Sequence, residues 1–508
     1  MLYFSRISTA GNRPGLCGIC ESWNPVRERM TVQRSEKRRP FRHRGKLLFC
    51  CALLLGLLLV LLIPPFDSPD ELTHFQNVWA IGHGQVFSGD YWAEGKLSLP
   101  AGFAPLMREY PVRLIGISNQ EKCSWGVLLR QSMEYIPTDK MMSAEGRIFS
   151  LGYLFSAFGM ALASALGSLF GLNFLHSPYV QLLVGRLCNW VFFVCVMRAA
   201  LRKLQPFRNT LFLLAVMPMT LFLAATLNYD AVLIPVSLYL FASVLSLSEN
   251  GSTVVSGPEY VRLLLCALFL CGVKAPYACL LLLLLLLSRD ALSPSSRERN
   301  TRRMMFLLFA LFGFVLSTLP YLVPAGGAVG YSSEQSAWLL AHPFALPGII
   351  LRTLWRDLPS IVISFWGCLG WLDLHIPRVF LLLGWIVLLA SAVFECCSFP
   401  SSVPWRRRLP GLLATVLIYC VFCTLQYISH APKVNGSVIG GDWSAGFQGR
   451  YLIPCFLPFL MTFANGSLNR KKPEIVPALR KKLAVVSVVW GGCCYLITFF
   501  TLLTRYWL

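Results

Sequence analysis

Long apolar segments alternate with short basic tracts along most of this chain of 508 residues. A segment of about 20 apolar residues is long enough to cross the hydrocarbon core of a bilayer as a helix. Hydrophobic residues make up 56% of the sequence and charged residues only 14%, which is too few to cover the surface of a soluble protein of this size. The pattern therefore predicts an all-α polytopic membrane protein.

About eleven transmembrane helices are predicted, the first of which runs from Leu47 to Ile63. No small-residue cleavage site follows that segment, so we interpret it as an uncleaved helix and not as a signal peptide. The other ten segments lie at approximately 179–199, 209–228, 231–248, 260–273, 275–288, 304–322, 377–396, 410–428, 450–466 and 483–503.

The basic tracts predict the orientation, because Lys and Arg concentrate in cytoplasmic loops. A further apolar segment, 147–170, is predicted to lie along the outer surface. If it crossed the membrane, the basic tract at 198–208 would fall outside. With this choice the tracts at 289–303, 406–408 and 470–482 all fall inside, the amino terminus is cytoplasmic and the carboxyl terminus is outside. The net charge of +21 then reflects anchoring in a cytoplasmic or inner membrane, and no nucleic-acid partner is expected.

Two regions are predicted. Residues 1–46 form a basic cytoplasmic tail that is expected to be disordered. It contains the pair Cys17 and Cys20, and a single CxxC pair is too weak a signal to assign a zinc site. Residues 47–508 form the transmembrane domain, and the long first outer loop, 64–178, is expected to carry helices near 70–87 and 147–170 that lie on the membrane surface.

Ionisable and polar residues gather at the predicted outer helix ends, where they could converge on one cavity. Asp70 and Glu71 follow a proline at the start of an amphipathic helix, where they could cap the helix or could supply a general base. His74 is one turn further on the same face as Asp70, either as a satisfied surface residue or as a contact to substrate or metal.

Two cations stand out among these residues. Lys274 interrupts an apolar block between two short helices, and a Lys in apolar surroundings must find an anion, for which lipid phosphate is the candidate. Arg450 begins a span after Gly449, and its guanidinium either binds phosphate or reaches back to the interface as an anchor.

Five ordered sequence blocks stand out between about 60 and 465: Pro65–Phe75, Leu227–Asp230, Val273–Tyr277, Phe365–Asp373 and Gln448–Pro454. They resemble the signature blocks of the predicted membrane protein family called domain of unknown function 2142. That family is similar to the GT-C class of integral-membrane glycosyltransferases.

The resemblance implies a GT-C-like fold and an inverting transfer of a sugar from a polyprenyl-phosphate donor at the outer face. It implies Asp70 as the general base with Glu71 as a second catalytic carboxylate, and Glu71 with Asp230 as ligands of a divalent cation, Mg or Mn. The substrate-binding residues would be His74, Asp230, Lys274, Asp373, Gln448, Arg450 and Tyr451.

The acceptor stays open as a glycan or a lipid of the cell envelope. The chain ends soon after its last apolar segment, without the carboxyl-terminal domain of aminoarabinose and mannosyl transferases, so acceptor recognition is expected to use the membrane face or a partner. The alternative function is a transporter or flippase of lipid-linked saccharides. A transporter would be expected to spread charges through the membrane midplane, whereas here they cluster at outer helix ends, which favours an enzyme.

Overall fold

The computed structural model describes residues 49–88, 91–92, 95–114, 121–144, 148–249, 254–288, 290–322, 333–399, 405–430 and 439–508. The predicted tail 1–46 and its Cys17–Cys20 pair lie outside the described residues. The compact unit Ala52–Leu508 contains every residue of the predicted site.

Helices dominate the described residues, as predicted for an all-α membrane protein. The first nine are α1 Phe49–Leu62, α2 Glu71–Gly82, α3 Ala104–Leu114, α4 Trp125–Met133, α5 Leu154–Phe170, α6 Pro178–Lys203, α7 Arg208–Val216, α8 Pro218–Ala224 and α9 Asp230–Glu249. The next nine are α10 Gly257–Val273, α11 Ser296–Leu322, α12 Ser333–Ala341, α13 Ala345–Trp366, α14 Arg378–Cys397, α15 Leu409–His430, α16 Phe456–Thr462, α17 Ser467–Lys471 and α18 Val476–Tyr506.

Short elements connect these helices. Two small antiparallel strand pairs join β1 Leu97–Pro100 to β2 Met141–Ala144 and β3 Cys368–Leu369 to β4 Leu374–His375. The 3₁₀ segments are Gln85–Phe87, Ala101–Phe103, Leu151–Tyr153, Asn173–His176, Ala275–Leu286, Trp405–Arg407 and Gly449–Cys455.

Eight helical segments among the described residues are long and apolar enough to span a membrane, or nine when the bent pair formed by α12 and α13 counts as one. The polytopic prediction is confirmed, but this count by length differs from eleven. The helix α1 and the 3₁₀ segment 275–286 are short. The pair α12 and α13, bent by 114°, was not predicted, because charged residues and prolines within 345–366 lower its apolar character.

The predicted span 209–228 is broken into α7 and α8. Met217 has an extended backbone at ψ 150° and Pro218 begins the next helix, because the residue before a proline is disfavoured in the α conformation. The predicted helix 275–288 is a 3₁₀ helix of twelve residues. Since a 3₁₀ helix rises about 2.0 Å per residue, this segment reaches further than an α-helix of the same length would.

Helix α5 belongs to the predicted surface segment 147–170 and packs antiparallel against the first half of α6. Ser156 donates a hydrogen bond of 2.8 Å to the Asn189 side chain, and Gln181 donates one of 3.0 Å to Ser164. Residues 151–170 are long and apolar enough to be a span, yet these contacts place them beside the half of α6 that is distant from its basic end at Arg202 and Lys203. The orientation of this segment relative to a membrane stays a prediction.

Candidate functional site

The site begins at the first turn of α2, as the sequence predicts. Asp70 is exposed and holds a left-handed backbone at φ 62°, and its carboxylate makes no capping hydrogen bond. Its backbone oxygen accepts a hydrogen bond of 2.9 Å from the His74 amide. Capping therefore does not account for the Asp70 side chain, which lies one helical turn from His74 with its carboxylate exposed.

Glu71 is fully buried and its carboxylate is bound by Arg186 of α6. Arg186 donates two hydrogen bonds to the two carboxylate oxygens, at 2.8 Å from Nε and 2.6 Å from Nη2. The guanidinium also donates to the backbone oxygens of Ile63 and Pro64, at 2.6 and 2.7 Å. A bidentate, fully hydrogen-bonded pair of this kind holds the end of α1 and the start of α2 against α6.

Hydrogen bonds connect the loop before α9 to Glu71 and to α6. The Leu227 amide donates a hydrogen bond of 2.7 Å to Glu71, and the Asn189 side chain donates bonds of 3.0 Å to the backbone oxygens of Thr226 and Asn228. Asn228 in turn accepts from the amide of Ala231 at 3.0 Å and so caps α9. These contacts position the next residues, Tyr229 and Asp230.

His74 faces this loop from α2. Its Nδ1 atom lies 2.5 Å from the Tyr153 hydroxyl, and its ring meets that of Tyr229 edge to face at 4.9 Å. Burial, together with the positive charges of Arg450 and Lys274, lowers the pKa of His74 to about 3. His74 is therefore neutral at physiological pH, and the two cations are its electrostatic neighbours.

Lys274 stands between α10 and the 3₁₀ segment 275–286, where three aromatic rings surround its ammonium group. The Nζ atom lies 4.3 Å from the ring centroid of Tyr451, 4.9 Å from that of Phe422 and 5.0 Å from that of Tyr229. We call Lys274 and these three rings the aromatic cage. Asp230 interacts with Lys274 electrostatically, but no ion pair to Lys274 is found within the described residues.

Arg450 adds a second cation beside the cage. It is 9% exposed, its guanidinium carbon lies 5.5 Å from the Tyr451 ring centroid, and its Nε atom is buried with no hydrogen-bond partner in the described chain. Gly449 allows the close approach that puts it there, since a Cβ atom on this residue would lie 1.9 Å from the backbone oxygen of Ile361. The side-chain oxygen of Gln448, just before it, is also buried without a hydrogen-bond partner among the residues described.

Asp373 is placed in a different cluster. It belongs to the turn between β3 and β4, whose Trp371 side chain donates a hydrogen bond of 2.9 Å to the backbone oxygen of Phe66. Asp67 follows Phe66 in the chain, and burial raises the pKa of its carboxyl well above the usual value. The nearby Tyr506 hydroxyl lowers this pKa in part, and the negative charge of Asp373 raises it. The Asp373 charge therefore disfavours ionisation of Asp67.

Positive φ angles occur in the two loops that contain Asp67 and Asp373. Three of the four non-glycine residues with a positive φ in the described chain lie in these loops: Phe66 at 60°, Asp70 at 62° and Leu372 at 66°. Strained backbone of this kind is typical of functional sites. We call Asp67, Asp373 and Tyr506 the acidic cluster.

The predicted metal ligands Glu71 and Asp230 are not joined by a third ligand. In the described ranges, no group of three or more His, Cys, Asp or Glu side chains could hold a metal ion. Both oxygens of Glu71 are bound to Arg186, which suits an architectural role better than a catalytic or metal-binding one. A divalent cation stays a prediction.

Several residues of the site were not singled out from the sequence. Arg186 lies inside a predicted span, and an ionisable residue at membrane depth is itself a signal of a functional or structural pair. Asp67 stands three residues before Asp70, but nothing in the sequence indicates that it meets Asp373. The partners of these two residues are set by the tertiary fold.

The family profile described as predicted membrane protein, DUF2142, matches residues 53–460 of the chain. This range contains Asp70, Glu71, His74, Asp230, Lys274, Asp373 and Arg450. Searches of curated proteins and of solved structures found no match.

Proposed function

We propose that this chain, which belongs to the DUF2142 family of predicted membrane proteins, is a membrane glycosyltransferase that uses a polyprenyl-phosphate sugar donor. The acceptor would be an extracytoplasmic glycan or lipid. The observation that carries the proposal is the pairing of Lys274 with Arg450 beside the aromatic cage, with no ion pair to either cation among the described residues.

The charge balance of the pocket favours an anionic ligand. Lys274 and Arg450 contribute two positive charges, Asp230 contributes one negative charge, and the neighbouring His74 is neutral. Cations in a poorly hydrated site are costly unless a partner compensates them. A phosphate group offers several oxygens that a guanidinium and an ammonium can bind at the same time.

The site also has the parts that a sugar transfer would need. Asp70 would take the proton of the acceptor hydroxyl as its oxygen attacks the anomeric carbon. The bond between that carbon and the phosphate oxygen breaks, and the bonding electrons leave on the phosphate. Lys274 and Arg450 would stabilise this developing charge, and attack opposite the leaving group inverts the anomeric centre.

The direct test is a transfer assay with the purified full-length chain and a panel of radiolabelled polyprenyl-phosphate hexoses. Wild-type protein should move label to an acceptor, and Asp70→Asn should lower the rate by about 10²–10⁴ while leaving folding intact. Asp139→Asn, which changes an exposed Asp in the same outer loop, is the matched control and should keep full activity.

Two other outcomes would contradict parts of the proposal. Activity of Asp70→Asn within tenfold of wild type would remove Asp70 as the base. If the protein moves intact lipid-linked sugars across vesicles and transfers no label with any donor, the transferase proposal is wrong and the transporter alternative takes its place.

A further inference from the structure

A groove at the end of α2 is lined by none of the residues of the aromatic cage and does not include Arg450. It has a volume of about 370 Å³ and lies between the end of α2, one face of α5, and the segment 135–138 that follows α4. We propose that this groove binds a neutral saccharide and is the acceptor subsite of the enzyme. The acceptor role rests on the proposed function, whereas saccharide binding can be tested without it.

One wall of the groove is aromatic. The rings of Trp79 and His83 stack at 3.9 Å, and Phe103 meets Trp79 edge to face at 5.7 Å. Tyr135, half-buried, lies 6.4 Å from Phe103 and extends the wall. Trp79 and Phe103 are themselves buried, so the ring surface open to a ligand is that of His83 and Tyr135. Sugar rings carry apolar faces of C–H groups, and flat aromatic side chains are the surfaces against which such faces pack.

The opposite wall is the small-residue face of α5. Ala161, Ser164, Ala165 and Ser168 follow the spacing of one helix face and all line the groove. The neighbouring side of the same helix is strongly apolar, with Leu162 and Leu169 exposed at 48% and 73%. On the side that faces the groove, α5 carries Ser and Ala in place of Leu. These small side chains leave space for the groove, and the Ser residues supply hydroxyl groups to it.

Hydrogen bonds fix the polar groups of the groove. His83 Nδ1 lies 2.8 Å from the backbone oxygen of Trp79, so this nitrogen carries the proton. Burial lowers the pKa of His83, partly offset by that hydrogen bond, and the ring is neutral near pH 7 with Nε2 as an acceptor. The Ser164 hydroxyl donates to Nε2 at 3.1 Å and accepts from Gln181 at 3.0 Å.

The ligand class follows from what lines the groove. No Asp, Glu, Lys or Arg side chain is part of its described lining, so neither a phosphate nor a cation is matched. Aromatic faces combined with neutral donors and acceptors suit the hydroxyl-rich edge and apolar face of a sugar. The volume is at the lower end of small-molecule sites, roughly 300–1,000 Å³, which is room for a short saccharide.

Helix α2 connects this groove to Asp70, the proposed general base. Asp70 precedes its first residue and Gly82, its last, lines the groove. Twelve helical residues span about 18 Å. An acceptor that reacts at Asp70 and occupies the groove would therefore be a glycan several sugar units long, which selects a glycan over a simple lipid.

The experiment measures saccharide binding directly. Full-length protein in nanodiscs is titrated with tritiated maltotriose, cellotriose, mannotriose and chitotriose. Wild type should bind at least one of them. Ser168→Phe fills the groove from an exposed position and should weaken that binding at least tenfold, whereas Leu169→Phe, on the neighbouring apolar side of α5, should leave it unchanged.

Lys274→Met separates this proposal from the proposed function. It should keep wild-type saccharide affinity even where donor binding is lost, because the cage is not part of the groove. The saccharide assignment is overturned if wild type binds none of the four sugars, or if Ser168→Phe binds as tightly as Leu169→Phe.

Discussion

This protein contains two buried basic sites, which differ in the hydrogen-bond partners of their cations. Arg186 is fully buried, and Glu71 together with three backbone oxygens accepts its hydrogen bonds. Arg450 is also buried, yet its Nε atom has no hydrogen-bond partner within the described chain, and Lys274 beside it is held by aromatic rings.

This difference separates architecture from function. A buried cation whose donors are all used can only hold the fold together, and Arg186 ties α1, α2 and α6 into one unit. A buried cation with unused donors is costly in the empty protein and becomes favourable when an anion enters. The contrast therefore predicts different consequences when each site is changed.

The largest expected effect is on stability, at the satisfied site. Glu71→Gln leaves Arg186 buried without a counter-charge and should lower the free energy of unfolding by about 3–5 kcal/mol. Thermal unfolding of detergent-solubilised protein, with the yield of monodisperse material, measures this. Asp290→Asn removes a pair to Arg299 in which Asp290 is 68% exposed, and should cost at most about 1 kcal/mol. Equal stability of both variants would contradict the architectural role of Glu71.

A smaller effect is expected at the aromatic cage. Phe422→Leu keeps the site apolar but removes a ring 4.9 Å from the Lys274 ammonium. Since a desolvated cation–π contact is worth up to about 2 kcal/mol, donor affinity should fall by up to about thirtyfold. Phe463→Leu, at an exposed ring just after α16, is the control. An unchanged donor affinity in Phe422→Leu would show that the ring does not position Lys274.

The smallest effect concerns pH. Burial raises the pKa of Asp67 in the folded protein, so at pH values between the unfolded and the folded pKa the folded state keeps a proton that the unfolded state has lost. Stability from this group is therefore present at low pH and declines as pH rises through the folded pKa. Asp67→Asn should reduce the loss of thermal stability between pH 5 and pH 8. A steeper decline in the variant than in wild type would contradict the buried, protonated state.

The predicted orientation is open to a separate test. Gln205→Cys lies in the exposed turn after α6 and should react with an impermeant thiol reagent only after the cytoplasmic side is opened. Asp139→Cys, in the outer loop, should react from outside in intact cells. Mapping the label by peptide mass separates these sites from the native cysteines. Labelling of residue 205 from outside would refute the predicted topology.

Much of this fold could be predicted from sequence because lipid imposes a simple rule on long apolar segments. Helices such as α6, α9 and α18 follow that rule, and Lys274 marks the break between two short segments. The pair α12 and α13 was missed because Arg352, Arg356 and two prolines obscure its apolar character.

The site was predicted in part. The blocks that contain His74, Lys274 and Arg450 identified residues that the fold brings together. The sequence indicated this because these blocks lie at helix ends that are predicted to face the same side of the membrane. The partner of Glu71 and the meeting of Asp67 with Asp373 could not be predicted. Each depends on contacts between distant segments, and local periodicity contains no information on them.

The central claim is that Lys274 and Arg450 bind the phosphate of a polyprenyl donor. Binding of polyprenyl phosphate to wild type and to Lys274→Met, measured by native mass spectrometry with melting temperatures recorded alongside, tests it most directly. Loss of a charge-assisted contact should weaken binding about ten- to a hundredfold in a variant that stays folded, while Lys471→Met, an exposed change in α17, should have no effect. Unchanged polyprenyl-phosphate affinity in folded Lys274→Met would contradict the account.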